Sequence, residues 1–228
     1  MLLSKMVEVK FIFDKYKDAW NIWDKCNRQG SYGDDWSKSM GPNLIKICKG
    51  KSLEGCREEI FQVNKKIYES KLIEIFLESI KTAWSARQDE FFEKMNKLFC
   101  KKFNNDLLTC CISTIGVCPY NFEENWFMCS LFSSLPNALV TCAHEIMHIY
   151  FHKFYWHELE EKIGEEKTSD LKEALTVLLN LEFKDLFFGF DKGYKKHKEL
   201  REFICDEWKR DKDFERLLNK CVMYLGKN

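Results

Sequence analysis

Charged side chains make up 32% of this chain, yet the stretch from Phe127 to Ala143 contains none. A charge there would be costly to desolvate, so the segment reads as buried. Ser133 or Ser134 can cap a helix and Pro136 suits its first turn, which predicts a helix from Leu135 to about Trp156. Its middle reads His144-Glu145-Ile146-Met147-His148. At about 3.6 residues per turn the two histidines share one face, so both imidazoles can reach a single metal ion. Glu145 sits beside them, placed to hold a water and accept its proton. The competing reading is a buried helix that happens to carry histidines, although two buried imidazoles would need partners in any case.

The flanks extend the pattern: Thr141-Cys142-Ala143 precede the pentapeptide, Ile149-Tyr150 follow it, and its two variable positions are apolar. This resembles the extended consensus of the zincin metallopeptidases. A catalytic zinc usually has three protein ligands and one open position, so a third ligand is required. His152 lies on the same face, but helical rise places it about 12 Å along the axis from His144, too far to share one ion. It should hydrogen-bond nearby or line the cleft.

The next helix offers a better donor. Thr168, Ser169 and Asp170 can start it, and between Leu171 and Leu181 its one carboxylate is Glu173, set in a mostly apolar run. An acid isolated in that way needs a partner. If Gly164 helps turn the chain, an antiparallel return brings Glu173 back to the level of the two histidines. His157, Glu158, Glu160 and His197 are competing donors, with Glu158 to Glu166 reading as a charged, solvated connection. From Leu135 to about Asn180 the two-helix arrangement resembles the gluzincin metallopeptidases. That resemblance implies His144, His148 and Glu173 as zinc ligands and Glu145 as general base, with Asp170 and Asn180 as groups that orient ligands. Lys172 stands where thermolysin-like members carry the asparagine of an Asn-Glu pair, so the chain is not assigned to that subgroup.

Hydrolysis of a peptide generates an oxyanion, and such sites normally hold a donor besides the metal against it. Tyr194 and His197 can both donate, and Gly193 can turn their loop back over the cleft. Gluzincins often use a later Tyr or His in this role. The alternative is a basic, solvated loop.

Lysine plus arginine equals aspartate plus glutamate, 36 against 36, so no basic face is implied and nucleic acid is not a favoured partner. The eleven cysteines are odd in number, include the adjacent pair Cys110-Cys111 and form no Cys-x-x-Cys. No apolar run follows a basic start, and no uninterrupted stretch is long enough to cross a bilayer. The expectation is a reduced, cytoplasmic protein with no membrane partner.

The fold class expected is α+β, predominantly helical with a small antiparallel or mixed sheet, in a single metallopeptidase-like domain over 1–228. Residues 1–105 should be mainly helical, and 106–228 should hold a hairpin, the motif helix, the Glu173 helix and C-terminal helices. Val7 to Phe13 alternates as a strand does, and a helix from Lys15 to Cys26 follows. Asn27 to Pro42 reads as a loop. Ser52 to about Phe103 is strongly helical, with a break near Arg87 to Asp89. Leu107 to Val117 and Trp126 to Phe132 look like the two strands of a hairpin, one of them an edge along which an extended substrate pairs. Helices at Lys198 to Lys209 and Asp213 to Leu225 complete the chain. The function expected is a zinc metallopeptidase acting on a peptide or protein, or on another amide. Its rival is a non-catalytic, zincin-like binding or regulatory module whose zinc is structural and closed by a fourth ligand.

Overall fold

The computed structural model describes residues 7–28, 30, 35–36, 40–103 and 107–227. It is mostly helical with one small mixed sheet. Strand β1 (Glu8–Phe13) leads into α1 (Lys15–Asn27), whose first amides at Tyr16 and Lys17 donate to the capping Asp14 side chain. Part of the expected loop at 27–42 lies outside the described residues. Helix α2 (Pro42–Cys48) starts on its proline. The long helical stretch divides into α3 (Leu53–Tyr68), α4 (Lys71–Ser85) and α5 (Gln88–Leu98), the second break falling near Arg87 as expected.

The sheet is built from β1, β2 (Leu107–Ser113), β3 (Tyr120–Asn121) and β4 (Trp126–Ser130), in the order β1-β2-β4-β3. The expected hairpin between 107–117 and 126–132 does not form. β2 and β4 run parallel instead, from Thr109 opposite Trp126 to Ser113 opposite Ser130, and β1 runs parallel to β2. Parallel strands cannot be joined by a tight turn, so the intervening chain crosses to the far edge of β4. There the two-residue β3 makes the hairpin, antiparallel to β4. The Asn121 side chain accepts the Glu123 and Glu124 amides in its turn, and Asn125 adopts a left-handed φ of 56°. Every residue of β4 is buried, and a strand covered on both faces reads as a continuous apolar run rather than an alternation.

Helices cover both faces. On one side Phe127, Cys129 and Ile112 join the main core, which runs from Val7 to Cys221 and takes in α6 (Leu135–Phe154). On the other side Trp20 of α1 packs edge-on against Trp126 at 5.7 Å. Beyond α6 the connection expected to be solvated is largely helical, as α7 (Trp156–Ile163) and the start of α8 (Glu165–Leu175). Leu159 is buried, and Lys162 pairs with Glu158 one turn away at 2.6 Å, which is how a charge-dense segment keeps a helix. Between α7 and α8, Gly164 makes the turn at a φ of 81°. Helix α9 (Val177–Glu182) follows a break at Thr176, and α10 (Lys198–Arg210) and α11 (Phe214–Lys227) close the chain. Among the described residues no helix is long and apolar enough to cross a membrane.

Candidate metal centre

Helix α6 presents His144 and His148 on one face, and α8 brings Glu173 to them. Glu173 Oε2 lies 3.6 Å from His144 Nε2 and 3.3 Å from His148 Nε2. The three donor atoms lie within 4.8 Å of one another, and among the described residues no fourth His, Cys, Asp or Glu joins the group. Zinc bonds of about 2.0–2.2 Å at tetrahedral angles require ligand atoms about 3.3–3.6 Å apart, and the two separations of 3.6 and 3.3 Å fall in that range. Two imidazole nitrogens and a carboxylate oxygen are donors of the kind that zinc takes.

The surroundings orient these donors. His144 Nδ1 donates to Asp191 Oδ2 at 2.6 Å, which leaves Nε2 turned toward Glu173. Asp191 is itself held by Thr176 Oγ1 at 2.8 Å and by Arg201 Nη2 at 2.9 Å. Asn180 accepts the Asp191 amide and donates to its carbonyl, at 2.9 and 2.8 Å. The left-handed turn at Gly193, with a φ of 62°, lets Arg201 lie across it; a Cβ there would stand 2.6 Å from the guanidinium carbon. His148 Nδ1 is buried with no partner among the described residues.

Electrostatics separate the two imidazoles. Burial works against a charged His144, but its hydrogen bonds to Asp191 and Glu173 outweigh that and hold it at about 10. Burial depresses His148 to about 3. Glu173 is buried too, yet the imidazoles of His148 and His144 and the ammonium of Lys172 hold its carboxyl far below the ordinary range. Glu145, 7% exposed, is pushed up to about 8 by burial. A bound dication would act on Glu145 in the opposite direction.

His144, Glu145, His148 and Glu173 line one cavity of about 800 Å³. Its other walls include Trp36, the 116–120 segment that leads into β3, Val140, Phe190, Asp191 and Tyr194. Tyr194 thus borders the same cavity as His144, His148 and Glu173. His197 does not: it is buried, with Nε2 3.0 Å from Asp170 Oδ1. Asp170 therefore serves His197 and Lys196 rather than His144, His148 or Glu173. Of the expected orienting groups, Asn180 acts at one remove, through Asp191. His152 stands apart from His144, His148 and Glu173; its Nε2 is 2.8 Å from the Tyr120 hydroxyl and its ring stacks on Phe122 and Trp156. The competing donors lie elsewhere: His157 is exposed beside Glu161, Glu158 pairs with Lys162, and Glu160 accepts from the Trp156 indole.

Lys172, Tyr120, Asp191, Thr176 and Arg201 were not foreseen as parts of the site. Arg201 carried a signal, because it falls on the apolar stripe of Leu200, Ile204 and Trp208, where a charge requires a buried partner. No protein-family model, no curated protein and no solved structure matches this chain.

Proposed function

We propose that this protein is a zinc-dependent metallopeptidase of the gluzincin type, with His144, His148 and Glu173 as metal ligands and Glu145 as general base. The observation that carries the reading is the convergence of three ligand atoms from two helices, beside a buried carboxylate, in one cavity. Zinc in that position would polarise a water and the carbonyl of the scissile bond. Glu145 takes the proton from the attacking water and delivers it to the leaving amine. Tyr194, on the cavity wall, supplies a hydroxyl toward the oxyanion, and an extended peptide lies along the 116–120 segment beside the edge strand β3.

A structural zinc would be closed by a fourth protein ligand, whereas among the described residues the group has three, and this favours the catalytic reading over a module with a closed structural zinc. Eleven cysteines without a disulfide support action in a reducing compartment such as the cytoplasm.

The test is Glu145→Gln, assayed on a quenched-fluorescence peptide library with zinc content measured in parallel. The variant should bind zinc at the parent's stoichiometry and lose hydrolysis by at least about 100-fold. Cleavage at the parent's rate would overturn the mechanism. Zinc retained in full by Glu173→Ala would remove Glu173 from the ligand set.

A further inference from the structure

Lys172 precedes Glu173 in α8, and its side chain is only 8% exposed. A lysine ammonium is rarely buried unless paired, and this one has two partners. It donates to Glu173 Oε1 at 2.9 Å and to the Tyr120 hydroxyl at 2.7 Å. An ammonium cannot accept, so the Tyr120 proton is free to go to the third group in the chain, His152 Nε2 at 2.8 Å. The order of donation is therefore Lys172 to Tyr120 to His152. The hydroxyl of the edge strand and the last imidazole of α6 together fix where the ammonium stands.

The two oxygens of Glu173 are thus used differently. Oε2 faces both histidines, while Oε1 carries a charge-assisted hydrogen bond from a buried cation. An oxygen whose charge is already taken up by an ammonium is a poor second ligand for a dication. We infer that Lys172 is a positioning residue: it confines Glu173 to ligation through Oε2 alone and so keeps the metal at three protein bonds. This inference rests on the metal reading proposed above. It gives the Lys-Glu pair a role distinct from the Asn-Glu pair that the sequence lacks, and it makes Tyr120 and His152 supports of the ligand carboxylate.

Cobalt(II) in place of zinc reports coordination number through its visible absorption, which is intense for four ligands, intermediate for five and weak for six. The cobalt-loaded parent should give the intense four-coordinate band. Lys172→Met removes the ammonium at similar length and should weaken the band several-fold as Oε1 joins the ion; Lys172→Arg, which restores a donor, should recover it. A Lys172→Met band as intense as the parent's would overturn the inference. X-ray absorption at the zinc edge of the parent provides a check that needs no variant. A single carboxylate oxygen at bonding distance is expected, and a second oxygen from the same carboxylate would overturn the inference even if Lys172→Met fails to fold. Failure of the parent to bind cobalt or zinc would instead overturn the metal reading itself, so the two failures are distinguishable.

Discussion

Replacing Asp191 by alanine tests how the site is held together. Its carboxylate accepts from His144 Nδ1 at 2.6 Å, Thr176 Oγ1 at 2.8 Å and Arg201 Nη2 at 2.9 Å. The Asp191 and Arg201 side chains are 6% and 8% exposed. Removing one partner of a buried ion pair typically costs about 3–5 kcal/mol, because the other charge stays buried without its counter-charge. That is a large part of the usual stability of about 5–15 kcal/mol, and at about 2–4 °C per kcal/mol it lowers Tm by roughly 6–20 °C. Urea unfolding followed by circular dichroism measures the loss. Asp191→Ala combined with Arg201→Met should cost less than the two single changes together, by about 1–3 kcal/mol. The same variant releases the ring of His144, so zinc affinity should fall by about 10–100-fold. The pH dependence follows in sign. Burial disfavours the charged carboxylate, but the hydrogen bond and charge of His144 and the charge of Arg201 outweigh it, so Asp191 titrates below its ordinary value. Its contribution is then fully present above the unfolded value of about 3.9 and is lost as pH falls through the folded one. A cost below about 1 kcal/mol, or strict additivity in the double variant, would refute the argument that this pair is a mutually dependent buried unit.

Two further outcomes are expected. Zinc at about 100 times its dissociation constant should stabilise the parent by about 2.7 kcal/mol, raising Tm by roughly 5–11 °C in differential scanning calorimetry; EDTA should reverse the shift and His148→Ala should abolish it. An unchanged Tm would count against a metal site. Gly193→Ala should destabilise by about 1–3 kcal/mol, because it forces a side chain into a left-handed φ of 62° and against the Arg201 guanidinium. A variant that melts with the parent would show that the turn yields freely.

How much of this was legible in the sequence depended on whether a residue conflicted with its neighbours. Glu173 could be found because it is the one carboxylate in an apolar run, and the pairing of His144 with His148 followed from helical repeat alone. The pairing of β2 was misread. Continuous apolar strands such as Trp126–Ser130 mark a sheet covered on both faces, yet nearness in sequence suggested a hairpin, and the two-residue β3 was too short to leave a pattern. Helix α7 was hidden by its charge density, although Trp156, Leu159 and Ile163 recur at helical steps toward the core.

Asp191 shows why the rest of the site could not be read directly. A carboxylate among Phe190, Lys192 and Gly193 breaks no local rule, so nothing in that loop marks it as buried. Its partner does break one: Arg201 interrupts the apolar stripe of α10 and must be neutralised by something brought in from elsewhere. The two residues meet ten positions apart, across the turn that Gly193 permits. Lys172 follows the same logic, since a lysine beside Glu173 on the buried side of α8 calls for an acceptor. The groups at the proposed metal position are betrayed by helix periodicity. The groups that hold them are betrayed by their counter-charges, which lie on apolar faces where a charge has no other reason to be.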